Sequence, residues 1–146
     1  MKERKLSWKQ AGDYCFKLAN LVKESGYAPN VIVGIARGGL VPTAVMGQVL
    51  DNKDIRTVSV KYYEKKGVHS KKPKFVGKKL DLPNHLKILI VDDISDTGHT
   101  LDFVRKSLNG RTKTATLHYK PKSIVKPDYF IEETDDWVVY PWEVDE

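Results

Sequence analysis

Two unbroken aliphatic stretches govern what this chain can become. Val31–Ala36 reads VIVGIA and Lys87–Val91 reads KILIV, and neither alternates with polar residues. A strand with one wet face alternates, whereas a run of this kind is covered on both faces. Such strands belong to parallel sheets, because the crossover that returns the chain to the same end is a helix lying on a sheet face. The sequence supplies those covers. Ser7-Trp8-Lys9-Gln10 reads as a capping box, and behind it Trp8, Ala11, Cys15, Leu18 and Val22 keep helical spacing up to a stop at Gly26. Val41–Leu50 predicts a second helix with Pro42 near its first turn, and Leu101–Leu108 a third. Ile55–Val60 and Thr112–Tyr119 are β-rich, and Asp128–Ile131 and Trp137–Tyr140 are short strand candidates. Helix, strand, helix, strand, loop, strand, helix, strand is the order expected of an α/β fold, a parallel sheet with helices on both faces.

At 146 residues the chain suits one domain. No apolar run approaches the roughly 20 residues that span a bilayer. The N-terminal MKERKLSWKQ lacks the apolar core of a secretory signal. The single cysteine, Cys15, excludes an internal disulfide and suits a reducing cytoplasm. A net charge of +6 raises the question of nucleic acid, but its distribution points to something narrower. Between Lys61 and Lys79 stand eight lysines and one acid, Glu64, whereas eight acids and no Lys or Arg follow Lys126. Positions 63–84 carry glycines, prolines and lysines and are expected as a long loop, which in a small domain is a lid, a binding loop or disordered. The lysines are either a solvated face or a flap that attracts a small polyanion.

Ligands of parallel α/β sheets bind beyond the carboxyl ends of the strands. Two polar segments sit there. Arg37-Gly38-Gly39 follows the first aliphatic strand: the glycines open the turn, and the guanidinium offers a fork suited to phosphate oxygens. It is neither a Walker loop nor GxGxxG. Asp92-Asp93-Ile94-Ser95-Asp96-Thr97-Gly98-His99-Thr100 follows the second. A small-residue turn leading into a helix exposes N–H groups where the dipole favours an anion, and Thr97 and Thr100 add hydroxyl donors. From the turn alone, an ordinary Asp or Thr helix cap is the better explanation. The acids shift the balance. Asp92 and Asp93 suit vicinal hydroxyls or a hydrated divalent cation, and Asp96 suits proton handling. A phosphate cup beside a hydroxyl-reading acid pair describes a ribose 5-phosphate site.

ILIVDDISDTGHT resembles the signature of type I phosphoribosyltransferases, and IARGGLVP resembles that family's diphosphate loop. The resemblance extends over nearly the whole chain. It is closest to the 6-oxopurine branch, the xanthine–guanine and hypoxanthine–guanine enzymes, through LSWKQ, HYKPKS and DDWVVYPWE. It implies one phosphoribosyltransferase domain over 1–146, with a parallel-sheet core at about 1–119 and a small base-binding C-terminal hood at about 120–146. By the same resemblance, Arg37, Gly38, Gly39, Asp92, Asp93, Asp96, Thr97, Gly98, His99 and Thr100 would bind 5-phosphoribosyl 1-diphosphate, with a cis peptide at Ala36–Arg37. Asp96 would be catalytic, near N7 of the base. Lys120, Trp137 and Val138 would read the purine, and Asp93 and Glu143 would hold Mg²⁺. Lys61 and Tyr62 stand where the family has its mobile loop. Glu143 stands where the family more often has Asp, and His99 where it often has Lys or Gly.

The implied reaction is transfer of the phosphoribosyl group to N9 of guanine, hypoxanthine or xanthine in purine salvage, by a cytoplasmic dimer or tetramer with no membrane or nucleic-acid partner. Lys has donors only, so Lys120 suits a 6-oxo group and not the amino group of adenine. Two alternatives stay open. One is an adenine-specific enzyme on the same scaffold. The other is a non-catalytic regulator that senses the ribosyl donor and binds nucleic acid.

Overall fold

The computed structural model describes residues 2–64, 66, 67 and 71–144. Its elements, in chain order, are β1 (Glu3–Lys5), α1 (Trp8–Glu24), β2 (Val31–Ala36), α2 (Leu40–Val49), β3 (Ile55–Glu64), β4 (Lys71–Phe75), β5 (Lys87–Ser95), α3 (His99–Ser107), β6 (Arg111–Tyr119), β7 (Tyr129–Glu133) and β8 (Trp137–Val139). Six strands form one sheet in the order β4-β3-β2-β5-β6-β7. Every pairing in it is parallel except β3 with β4.

The aliphatic runs lie at the centre of this sheet, covered on both faces as expected. In β5, Leu89 and Val91 join the core beneath α1 and α2, with Ala11, Cys15, Leu18 and Met46. Ile88 and Ile90 point the other way, against Leu101 and Val104 of α3. The capping box of α1 is complete: the Gln10 N–H donates to Ser7 Oγ at 3.1 Å, and the Ser7 N–H donates to Gln10 Oε1 at 2.8 Å. Gly26 follows the helix at φ +82°, a conformation that glycine takes without strain.

Three elements differ from the expectation. The segment 63–84 is not one loop: β3 runs on to Glu64 and β4 returns antiparallel, with Tyr62 opposite Pro73. This arm stands off the sheet's outer edge and is mostly exposed, so it needs no apolar alternation. Pro73 is tolerated because β4 is an edge strand. Positions 65 and 68–70 of the expected lid lie outside the described residues. Second, β5 continues past Val91 to Ser95, because β6 still pairs with Asp92, Ile94 and Ser95. Third, Glu3–Lys5 forms a strand that pairs with β8, so the N-terminal segment lies alongside residues 137–139. Arg4 anchors it, with Nη2 2.6 Å from Glu132 Oε1 on β7, while Tyr14 of α1 donates to Glu132 Oε2 at 3.0 Å.

Candidate active site

The two polar segments meet at the carboxyl ends of neighbouring strands β2 and β5. Gly39 caps α2, and the Ala36–Arg37 peptide is cis. A Cβ built on Gly38 would lie 2.2 Å from Asp93 Oδ2, so the Arg37-Gly38-Gly39 turn rests directly on that carboxylate. Arg37 itself is exposed.

Adjacent residues on a strand face opposite ways, and Asp92 and Asp93 divide accordingly. Asp92 lines a small cup of about 90 Å³ together with Asp96, Thr97, Gly98 and Thr100. Asp93 is 8% exposed and faces the turn above α2. Its Oδ1 accepts the Ile94 N–H at 2.7 Å and its Oδ2 accepts Trp142 Nε1–H at 3.2 Å. Burial pushes both carboxyls above the usual range, Asp92 the further, and the charge of Asp93 adds to the rise at Asp92. Glu143 rises too, through burial and then the charge of Asp93. The region thus gathers negative charge that its own side chains leave unbalanced.

The cup opens at the N-terminus of α3. Gly98 caps that helix at φ +87°, and the His99 N–H donates to Thr97 Oγ1 at 3.2 Å. A Cβ at Gly98 would meet Ser123 Oγ at 2.6 Å and Val125 N at 2.9 Å, so only glycine lets the 120–125 turn lie against the cup. That turn is stitched in place: Lys120 N–H to Ser95 O at 3.0 Å, Ile124 N–H to Thr97 O at 2.8 Å, and Ser95 Oγ to Ser123 Oγ at 2.8 Å. The imidazole of His99 lines a different cleft, under the β3–β4 arm. Tyr62 of that arm reaches the cup's rim, its hydroxyl 2.7 Å from Thr100 Oγ1. Lys61 is exposed on the same strand.

Lys120 is 4% exposed, and its Nζ stands 5.6 Å from the ring centroid of half-exposed Trp137. Val138 is buried beside Trp137 in β8. Three residues with no role in the sequence reading also belong here. Lys122 Nζ lies 3.4 Å from Asp96 Oδ1. Trp142 holds Asp93, and Tyr140 supports Asp93 from below. The only sequence hint of Lys122 is its spacing, two residues beyond Lys120 across Pro121.

Tyr140 reveals a tautomer. Its hydroxyl has one proton, which goes to the Asp93 carbonyl at 3.2 Å, since a carbonyl can only accept. The phenolic oxygen must therefore accept from His118 Nδ1, 2.7 Å away. Buried His118 is then the neutral Nδ1–H form, with Nε2 bare and without a partner among the described residues. Burial brings its pKa down to about 4, against the raising pull of Glu132 and with Arg4 lowering it further.

The parallel sheet, with a small cup and acids at its strand ends, has the type I phosphoribosyltransferase architecture. The chain belongs to the phosphoribosyl transferase family, whose domain model matches residues 7–146. A xanthine-guanine phosphoribosyltransferase of Cereibacter sphaeroides is 39% identical over 119 residues, covering 77% of this chain and 68% of that protein. One from a Ruegeria species is 31% identical over 150 residues, covering 95% and 84%. Among solved structures, a purine phosphoribosyltransferase from Pyrococcus horikoshii superposes with a TM-score of 0.86 at 34% identity, covering 100% of this chain and 97% of that one. Among the described residues no helix is long and apolar enough to cross a membrane.

Proposed function

We propose that the protein transfers the phosphoribosyl group of 5-phosphoribosyl 1-diphosphate to N9 of a 6-oxopurine (guanine, hypoxanthine or xanthine), releasing diphosphate. One observation carries this reading. A small cup ends β5, and Lys120, the residue just past the end of the next strand β6, stands over Trp137. A phosphorylated sugar and a flat 6-oxo base would fit side by side across that junction. The names of the related proteins support the same reading.

In this reading the backbone of Thr97–Thr100 and the two threonine hydroxyls grip the 5-phosphate. Asp92, lining the cup, accepts from the ribose hydroxyls. The diphosphate lies along Arg37, Gly38 and Gly39, where the guanidinium stabilises the charge that develops as it departs. Trp137 stacks on the base and Lys120 donates to O6, while the Val138 backbone borders the base edge. Asp96 takes the N7 proton as N9 bonds to C1. The arm carrying Lys61 and Tyr62 shields the reacting carbon, which water would otherwise capture.

The acids fit a divalent cation. Asp92, Asp93 and Glu143 all hold raised carboxyls in one region, and a cation would balance them. Asp93 and Glu143 would hold Mg²⁺. Among the described residues no trio of acids or histidines is gathered closely enough to cage an ion alone, so the diphosphate and water would supply the remaining oxygens. Bound there, the ion would neutralise the leaving diphosphate. We extend the proposal to a cytoplasmic homo-oligomer, a dimer or tetramer, on the family's pattern.

The test is a nucleobase panel of guanine, hypoxanthine, xanthine and adenine with the ribosyl donor and Mg²⁺. Nucleoside monophosphate should form from 6-oxopurines and not from adenine. Reaction with adenine alone would defeat the Lys120 argument. No turnover, with salt-dependent binding of RNA or DNA, would favour the regulator reading.

A further inference from the structure

We propose that Lys122 is a positioning residue for Asp96: its ammonium holds Oδ1, so that the carboxylate presents its other oxygen to the N7 proton of the base. This inference rests on the transferase reading above.

Two observations carry it. Lys122 Nζ lies 3.4 Å from Asp96 Oδ1. That oxygen is sealed from solvent and receives no hydrogen bond among the described residues. The Asp96 side chain as a whole is nonetheless 46% exposed. With Oδ1 sealed, the exposure falls on the rest of the side chain, and Oδ2 is the oxygen that a ligand meets. One oxygen of the carboxylate is thus withdrawn from solvent, and the other is left to meet a ligand. Many exposed ion pairs contribute nothing measurable. This one differs because, among the described residues, the ammonium is the one cation that reaches an otherwise unserved, solvent-sealed oxygen, and its loss would leave a charged acceptor uncompensated.

The mounting is rigid enough for the task. Lys122 sits in the turn that binds the cup through Lys120, Ser123 and Ile124. The same turn carries Lys120 to the base on its other side. A shift of the cup would therefore carry the ammonium and its carboxylate together.

In the reaction the N9 lone pair forms the bond to C1 of the ribose, and the C1–O electron pair leaves with the diphosphate. The N7 proton passes to Asp96 Oδ2. A carboxylate free to rotate would meet that proton less often in a productive direction, while ground-state contacts to base and donor would persist. The loss should therefore appear in kcat.

The experiment compares Lys122→Met and Lys122→Arg with wild type, using the best 6-oxopurine and its 8-aza analogue, whose ring proton is more acidic. Lys122→Met should lower kcat about tenfold, a tenth or less of a general base's full contribution. Both KM values should stay within about twofold, and any fall in melting temperature should leave the variant fully folded at the assay temperature. Lys122→Arg should restore most of the rate, and the 8-aza base should lose less than its parent. An unchanged kcat in Lys122→Met, or equal losses for both bases, would overturn the inference. Wild type inert with every purine removes the proposed function and this inference together. Active wild type with an indifferent Lys122→Met removes the inference alone.

Discussion

Replacing His118 should change how the protein responds to acid, by an amount the structure sets. His118 is fully buried between Tyr14 and Tyr140, with Glu132 and Arg4 acting on it from β7 and β1. Its folded pKa is about 4, against an ordinary value of about 6.5. Folding therefore favours the neutral ring, and the unfolded chain binds the proton first as pH falls. The stability that the neutral ring contributes is fully present above pH 6.5 and is lost as pH falls toward 4. At pH 4.5 that loss comes to about 2.5 kcal/mol relative to pH 7.5. His118→Asn keeps an N–H for the Tyr140 oxygen but cannot titrate. Truncating the ring destabilises the variant equally at both pH values, so this loss cancels when each protein is compared with itself. Urea unfolding at pH 7.5 and 4.5 gives the two differences. Wild type should lose about 2.5 kcal/mol more than His118→Asn. The carboxyls that burial raises, Asp92, Asp93 and Glu143, are common to both proteins. Parallel pH profiles, differing by less than about 0.5 kcal/mol, would refute the burial argument.

Gly38→Ala drives a methyl group to 2.2 Å from Asp93 Oδ2, and that carboxylate cannot swing away without releasing Trp142. Urea midpoints should show a loss of about 1–3 kcal/mol, with a raised KM for the ribosyl donor; wild-type values for both would show that the turn does not rest on Asp93. Asp96→Asn keeps the shape and removes the proton acceptor. Its kcat should fall at least about a hundredfold, while donor affinity by calorimetry changes little, and equal losses in both would take the proton role from Asp96.

The middle of the sheet was legible because burial on both faces leaves short, continuous runs rich in β-branched residues. VIVGIA and KILIV have the length and composition of central strands, and the Ser7–Gln10 box named the start of α1 to the residue. The arm was hidden because its strands hang over an edge: KKPKF has no wet-and-dry alternation to display, and its proline reads as a loop. The far end of β5 was hidden by its acids, since Asp92 and Asp93 are residues that strands usually exclude. The three-residue β1 is too short and too charged to announce itself. In the site, residues on contiguous segments were legible: Asp92, Asp96, Thr97, Gly98 and Thr100 line one cup with the turn after β6 beside it, while Asp93 and His99 face elsewhere. Partners that arrive from elsewhere in the chain were not. Trp142 reaches Asp93 across 49 positions of sequence, and Lys122 reaches Asp96 only because Gly98 lets two turns touch.

The bond between Tyr62 and Thr100 has a consequence of direction. Each hydroxyl owns a single proton, and between the two oxygens alone either one can donate. A phosphate ester only accepts. Once one sits in the cup, the Thr100 proton is committed to it, and Tyr62 must supply the proton of the bond that joins arm to cup. Loading the cup would thus give that bond a fixed polarity and strengthen it, because a hydroxyl that donates to an anion becomes a better acceptor. The arm would sense occupancy through the sense of one hydrogen bond, with no backbone shift required to transmit it.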